Sequence, residues 1–499
     1  MPASMCVHYV GYEAARSLSV ALLAQSDKDL LGITISAGTP FNAVVLYLYA
    51  ICLSNYGPMV TLRCCHLVAI SGLGVMTLLY IYGNHWLRDA SFSSKSALVV
   101  FYIFRETYVG LIASQQWSFM LDHFSLFRNR AIEQGKRRKE RSISSNGAKE
   151  EEKSKECYSD SDQDKNSDKD KDKDKDKDKD KDKDKDINKK EKAKWIVLIG
   201  GVCSSACVLG SYLLHKALYS EWIQAYSNHL NLPLLPPLLL SVSGATISWI
   251  VNEYAFSLKT SLEKKEGSEI LNQNTLKKDN KSNYGGFSNI WAQGWSLLTE
   301  YQLLRILFYE AILHQASGNM LNFMFHEGLR MYGGDEVTRK ADLSGQFFAY
   351  VNIFACGLQI IVMPYLLTFD TLPVALVLIP LLTIVATSAL YFQQSLFAVF
   401  LGFGVFKVLE YSVWYSCMEL IWLEVPSQVR PLSKEIVRFL GHKTGKTVVS
   451  IGLSMVSSRF KPDLQQQALW CVCLLIGWLF TKYLLAQEVG HKKNKVKKE

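Results

Sequence analysis

The feature that most constrains this chain is a recurring one. Runs of about twenty apolar residues, each the length of a bilayer-crossing helix, alternate with stretches dense in charge. Hydrocarbon offers no water to complete a backbone hydrogen bond, so such runs fold as helices. An all-α membrane protein with about 12 transmembrane helices is expected. Composition sharpens the point. The chain is 49% hydrophobic and yet 20% charged, and the charge is confined largely to two loops and the tail, which excludes an ordinary soluble globule. The formal net charge of +9 sits mostly outside the apolar runs, so the positive-inside bias of membrane proteins accounts for it without nucleic-acid binding.

Taken in order, residues 1–120 predict four transmembrane helices: Met5–Ala24, Ile33–Ser54, Met59–Gly83 and Ser96–Met120. Asn55-Tyr56-Gly57-Pro58 reads as a tight turn between the second and third. No basic region precedes the first apolar segment, so no cleavable signal peptide is expected. Residues 121–193 are basic and then alternate Asp with Lys from Asp168 to Asp186. An alternating polyampholyte has no apolar face to offset its ordering entropy, so this insertion reads as a disordered cytoplasmic loop. Its basic start suits contact with anionic lipid. Residues 194–256 predict helices five and six, residues 257–296 a polar cytoplasmic loop, residues 297–486 helices seven to twelve, and residues 487–499 a basic cytoplasmic tail. Tyr332–Asp342 reads as a charged turn outside the membrane. The count places both termini on the side holding most of the Lys and Arg, the cytoplasmic side of a cell or inner membrane.

The chemistry lies in ionisable residues inside these apolar runs. Each costs several kcal/mol in hydrocarbon and so faces a protein interior or a wet cavity. Lys407, Glu410, Glu419, Lys443 and Lys446 fall in or beside two neighbouring runs between Phe397 and Arg459. Glu13 and Arg16, three residues apart, share a face of the first helix. Arg105 and Glu106 lie near the centre of the fourth, with Glu106 expected to face a pathway and Arg105 another helix. Helix seven carries Glu300, Arg305, Glu310 and His314. Glu310 and His314, four apart, are too few for zinc and read as an internal hydrogen bond or a pathway lining. The 11 cysteines lie mostly in apolar runs without the spacing of a zinc site and read as small buried hydrophobes. Gly441–Thr447, "GHKTGKT", invites a phosphate-loop reading, but Leu440 stands where the first glycine is required and the segment sits in an apolar helical run. No metal motif and no nucleophile–base pair emerges, so neither an enzyme nor a bound cofactor is expected.

The segment "KVLEYSVWYSCMELIWLEVPSQVRPLSKEIVRFLGHKTGKTVVS" resembles the non-mitochondrial ATP/ADP translocases of intracellular bacteria and plastids. The matching positions are Tyr411-Ser412, Met418-Glu419, Pro426, Lys434 and Lys443-Thr444-Gly445-Lys446. "FYIFRETYVGLIASQQWSF" is similar to that family's fourth span, with Glu106 at the position of a functional acid, and Arg16 is the nearest match to a first-span lysine. The resemblance implies a major-facilitator-like bundle of two six-helix halves. It also implies a secondary transporter exchanging nucleotides, or another anionic phosphorylated metabolite, by alternating access. Lys446, Lys443 and Arg16 would then meet phosphate oxygens while Glu106 and Glu419 gate or balance charge; Arg105, Arg305, Glu310, Lys407 and Glu410 are secondary candidates. Two rival readings stand beside it. One is a proton-coupled carrier of an unrelated small solute with Glu106 or Glu310 as proton site, the other a non-transporting membrane scaffold. The expected partners are a small anionic solute and membrane lipid, not nucleic acid. The oligomeric state is open, with a monomer compatible.

Overall fold

A computed structural model describes residues 2–25, 28–82, 96–108, 198–229, 232–270, 296–334, 336–368, 371–422, 441–460 and 462–498, with isolated positions between them. The polyampholyte insertion lies outside the described residues. Every regular element among the described residues is a helix. We number them α1 (Pro2–Gln25), α2 (Lys28–Tyr82), α3 (residues 96–108), α4 (Leu198–Tyr219), α5 (Glu221–His229) and α6 (Leu235–Ile270). The second half holds α7 (Gln302–Tyr332), α8 (Val337–Thr368), α9 (Leu372–Phe392), α10 (Leu396–Trp422), α11 (His442–Phe460) and α12 (Leu464–Lys498). Seven stretches among the described residues are long and apolar enough to cross a membrane. They are Met59–Tyr82, Leu198–Tyr219, Leu235–Ser257, Val337–Pro364, Leu372–Phe392, Leu396–Trp422 and Leu464–Gly490.

The side-chain distribution is that of a bundle solvated by lipid. On α9 the exposed positions include Val374, Leu378, Leu381, Leu382 and Val385, while Thr383 and Thr387 are buried. Water would penalise such an exterior, and hydrocarbon does not. Sequence sets the helix ends where caps are present. Ser395 accepts a hydrogen bond from the Ala398 backbone N–H at 3.2 Å and starts α10, and Asp463 accepts from the Gln466 backbone N–H at 2.8 Å ahead of α12. Each such cap is worth about 1 kcal/mol. Pro364 and Pro380 lie inside α8 and α9, as predicted for membrane helices whose neighbours satisfy freed carbonyls.

Several boundaries differ from those expected from sequence. The turn expected at Asn55–Pro58 is helical, because α2 runs unbroken from Lys28 to Tyr82. Proline fixes φ near the helical value and forfeits a single hydrogen bond, so one Pro does not compel a turn. The charged turn expected at Tyr332–Asp342 shrinks to residues around Gly333 and Gly334, and Arg339, Lys340 and Asp342 already belong to α8. Gly334 has φ of 80°, a conformation that glycine adopts without steric cost. Finally, α6 continues to Ile270, into the stretch expected as a loop, and α12 to Lys498, through the stretch expected as a tail.

Close helix approach organises both halves. A Cβ on Gly11 would stand 2.9 Å from the Gly244 Cα, and one on Gly210 2.6 Å from the Val10 carbonyl oxygen. Thus α1 is wedged against α6 and α4 through glycine contacts. One apolar core joins Val20, Leu23 and Ala24 of α1 to Met324 and Leu329 of α7 and Phe347 of α8, so the halves are packed together around the C-terminal end of α1. His215 of α4 and Asp342 of α8 meet at 2.8 Å across the same two halves.

Candidate functional site

A cavity of about 220 Å³ lies where helices of both halves converge. From the first half, α1 contributes Tyr12 and Arg16, α2 Thr34 and Gly38, and α3 Tyr102, Arg105 and Glu106. From the second, α7 contributes Gln315, Asn319 and Asn322, α8 Phe348, α10 Phe406, Lys407, Glu410 and Tyr411, and α11 Lys443 and Lys446. Five cations and two carboxylates among the described residues therefore face one small volume, an excess of positive charge that Glu13, behind Arg16, partly offsets.

The pairing within the wall is specific. Glu106 bridges the halves: its Oε1 is 2.6 Å from Arg105 Nη2 and its Oε2 3.6 Å from Lys446 Nζ. Arg105, nearly all buried, lies with its guanidinium over the Tyr102 ring at 4.7 Å and over Tyr12 of α1 at 6.0 Å. Arg16 pairs with Glu13, donates to the Tyr411 hydroxyl at 3.2 Å and stacks 3.4 Å above the Phe348 ring. Glu13 also accepts from Asn352 of α8 at 3.4 Å, so α1 is tied to the second half through both members of its ion pair. Lys407 donates to Glu410 at 2.6 Å. Asn319 donates to the Lys446 carbonyl at 3.2 Å and to Ser450 Oγ at 2.7 Å, fixing the turn of α11 from which Lys446 projects.

Local sequence explains how these side chains reach the cavity. Residues Glu410–Trp414 of α10 form a π-helical segment. The wider turn rotates the helix beyond it and frees backbone carbonyls, a device common at functional sites. The Tyr411 carbonyl is satisfied instead by Gln359 at 2.8 Å. The glycines of "GHKTGKT" serve packing. A Cβ on Gly441 would come within 2.8 Å of the Ala311 Cβ, and one on Gly445 within 2.2 Å of the Ile312 carbonyl oxygen. With α11 helical from His442, the two glycines form a G-x-x-x-G face against α7, and Lys443 and Lys446 leave that helix on the cavity side.

Of the residues singled out from sequence, Arg16, Arg105, Glu106, Lys407, Glu410, Lys443 and Lys446 line the cavity. Arg105, expected to turn toward another helix, does both: it touches Tyr12 of α1 and faces the cavity. Three candidates lie elsewhere. Both oxygens of Glu419 accept from Lys434 at 2.7 Å, an ion pair outside the cavity wall. Arg305 is exposed near the start of α7. Glu310 is wholly buried within the second half, where its Oε1 accepts from Trp414 Nε1 at 2.9 Å, Trp478 Nε1 at 3.1 Å and Lys482 Nζ at 2.8 Å. Lys482 was missed from sequence although a lysine inside the apolar run of α12 signals it. The amides Gln315, Asn319 and Asn322 were missed too, since uncharged polar residues in a membrane helix carry a weaker signal.

No protein-family model matches the sequence, and no curated protein matches it. Solved structures do. The chain superposes on the crystal structure of a point mutant of the nucleoside transporter NupG with a TM-score of 0.54 and 10% identity, covering 97% of this chain and 99% of that one. A point mutant of the E. coli fucose:proton symporter FucP is matched at a TM-score of 0.48 and 10% identity, over 97% and 98% of the two chains. A POT family transporter in complex with 5-aminolevulinic acid is matched at 0.48 and 10%, over 99% and 96%. The chain is an all-α membrane protein, and its described residues take the fold of NupG.

Proposed function

We propose that this protein is a secondary transporter that carries a phosphorylated organic anion, of the nucleotide type, through the central cavity by alternating access. One observation carries the reading. The cavity is walled by residues of both halves and holds Arg16, Lys443 and Lys446, drawn from α1 and α11, with aromatic rings and amides between them. Convergent cations suit phosphate oxygens, because charge-assisted hydrogen bonds are short and roughly twice as strong as neutral ones. The rings of Tyr12, Tyr102, Phe348 and Phe406 supply apolar faces for the remainder of the solute. At about 220 Å³ the cavity is below the usual range of about 300–1,000 Å³ for small-molecule sites, so a nucleotide needs the halves to part before it is admitted. The Glu106–Lys446 pair would open on loading, with phosphate replacing the carboxylate as partner of Lys446.

The test is uptake of labelled ATP into proteoliposomes preloaded with ADP or left empty, for the wild type and Lys446→Ala. Uptake that requires internal ADP and is lost in the variant supports nucleotide exchange through this cavity. Absence of uptake under either loading, by protein shown to be folded and inserted, refutes the nucleotide substrate.

A further inference from the structure

Behind the cavity wall, and joined to it through Lys407 and Glu410, lies a second array of ionisable groups that the proposed anion contacts do not use. His314 of α7 is fully buried, its ring stacked on Trp414 with centroids 4.1 Å apart and planes 13° from parallel, and on Phe406 at 5.3 Å. Its two nitrogens each point to a residue that lines the cavity. Nε2 is 3.5 Å from Glu410 Oε1 without a hydrogen bond, and Nδ1 is 3.2 Å from the side-chain amide of Gln315. One turn back along α7 is Glu310, whose Oε1 holds three donors while its buried Oε2 has no hydrogen-bond partner. The other groups around the ring are Lys407 and Trp414 on α10, His442 on α11 with its centroid 6.2 Å away, and Trp478 and Lys482 on α12. Two acid–base pairs, Lys407–Glu410 and Lys482–Glu310, thus flank one imidazole, with an acid of each pair close to it along α7 or α10.

We propose that His314 is a proton-binding site loaded from the cavity, so that this protein binds a proton as well as its organic solute. The step is simple to balance. With the Gln315 N–H donating to Nδ1, the ring carries its single proton on Nε2, toward Glu410. A proton from cavity water adds to the Nδ1 lone pair, and the Gln315 amide turns to accept from the new N–H through its oxygen. The imidazolium then donates to Gln315 on one side and faces Glu410 on the other, with Glu310 one turn away. Release reverses these moves and returns the proton to the cavity. The site lies against the π-helical segment that presents Glu410 to the cavity and Trp414 to Glu310, so a change in that turn alters the counter-charge and the ring stack together. This inference goes beyond the anion reading and does not require it, since no solute enters the experiment.

The experiment uses the stacked indoles as reporters. Purified full-length protein is titrated from pH 9 down to the lowest pH at which it stays folded, with intrinsic tryptophan emission recorded. An imidazolium quenches an indole in contact with it, so wild type is expected to lose emission in one step on acidification. His314→Gln abolishes the step, Trp414→Phe reduces it, and His442→Gln retains it. Glu410→Gln, which removes the nearest counter-charge, moves the midpoint to lower pH by about tenfold or more in proton affinity, whereas Lys407→Met moves it to higher pH. Should His314→Gln fail to fold, the opposed shifts in Glu410→Gln and Lys407→Met decide the question. A step that survives His314→Gln, one that His442→Gln removes instead, or a midpoint indifferent to Glu410 and Lys407, overturns the assignment.

Discussion

Replacement of Lys482 by methionine isolates what the buried charges of the second half contribute. Lys482 and Glu310 are both fully buried, 2.8 Å apart, and Lys482 has the Met418 sulfur at 3.4 Å as a further contact. Lys482→Met keeps most of the volume and strands a carboxylate that retains two indole donors. Breaking one side of a buried pair costs about 3–5 kcal/mol, because the remaining charge is left uncompensated. Losing one indole donor, in Trp478→Phe or Trp414→Phe, removes a single hydrogen bond to a charged group and costs about 1.5–3 kcal/mol. The double variant Glu310→Gln/Lys482→Met has no buried charge at this pair. Its amide oxygen still accepts from both indoles, so it recovers most of the loss and lies within about 1 kcal/mol of wild type. The expected order of stability is wild type, then the double variant, then the indole variants, then Lys482→Met. Reversible unfolding in detergent on titration with SDS, measured by circular dichroism, tests it. A double variant no more stable than the sum of its two single variants refutes direct coupling between these residues.

Other outcomes rest on the same geometry. Lys446→Ala and Lys443→Ala each remove a charge-assisted contact to the proposed anion, worth about 1.5–3 kcal/mol, and should weaken ATP binding by about ten- to a hundredfold by isothermal titration. An unchanged affinity in both excludes α11 from the binding site. Gly445→Ala places a methyl where the Ile312 carbonyl oxygen stands 2.2 Å away. Backbone cannot yield as a side-chain tip can, so thermal stability should fall by about 1–3 kcal/mol and any solute affinity residing in Lys446 with it. A neutral outcome removes the packing role given to this glycine. Arg63 of α2 and Glu253 of α6 form a two-pronged ion pair at 2.6 and 2.7 Å, so Arg63→Glu should lower the melting temperature and Arg63→Glu/Glu253→Arg should restore it. Failure of the reversed pair to recover stability counts against a direct interaction.

The sequence disclosed the fold class because lipid allows few solutions. Runs of about twenty apolar residues leave helices as the way to satisfy the backbone, and the exposed valines and leucines of α9 are the exterior expected of such a bundle. Seven of its ten charged candidates reach one cavity for a related reason. A charge inside a span is costly unless it faces a wet interior or a partner, so its presence reports a destination of one of those two kinds. Sequence context does not choose between them. Glu410 and Glu310 look alike in sequence, each an acid amid apolar neighbours, yet Glu410 lines the cavity while Glu310 is enclosed by Trp414, Trp478 and Lys482. The difference arises from the helices packed against each, which are remote in sequence. Helical period gives a partial answer. Glu310 and His314, four apart, do share a face of α7, and Arg305, five residues before Glu310, points away and is exposed. Period also held the explanation of "GHKTGKT" that a phosphate-loop comparison obscured. Its glycines are four apart and the structure uses them for approach to α7, so the lysines beside them are set in the cavity wall by a packing motif. The local π turn at Glu410–Trp414 has no such signature, and with it goes the pairing that decides the site: one five-residue segment hands Glu410 to His314 and Trp414 to Glu310. An insertion of that kind shifts each later side chain by about a hundred degrees around the helix, so faces counted through it from sequence are wrong beyond it. Glu419 lies after that turn, and its place opposite Lys434 rather than in the cavity is consistent with such a shift.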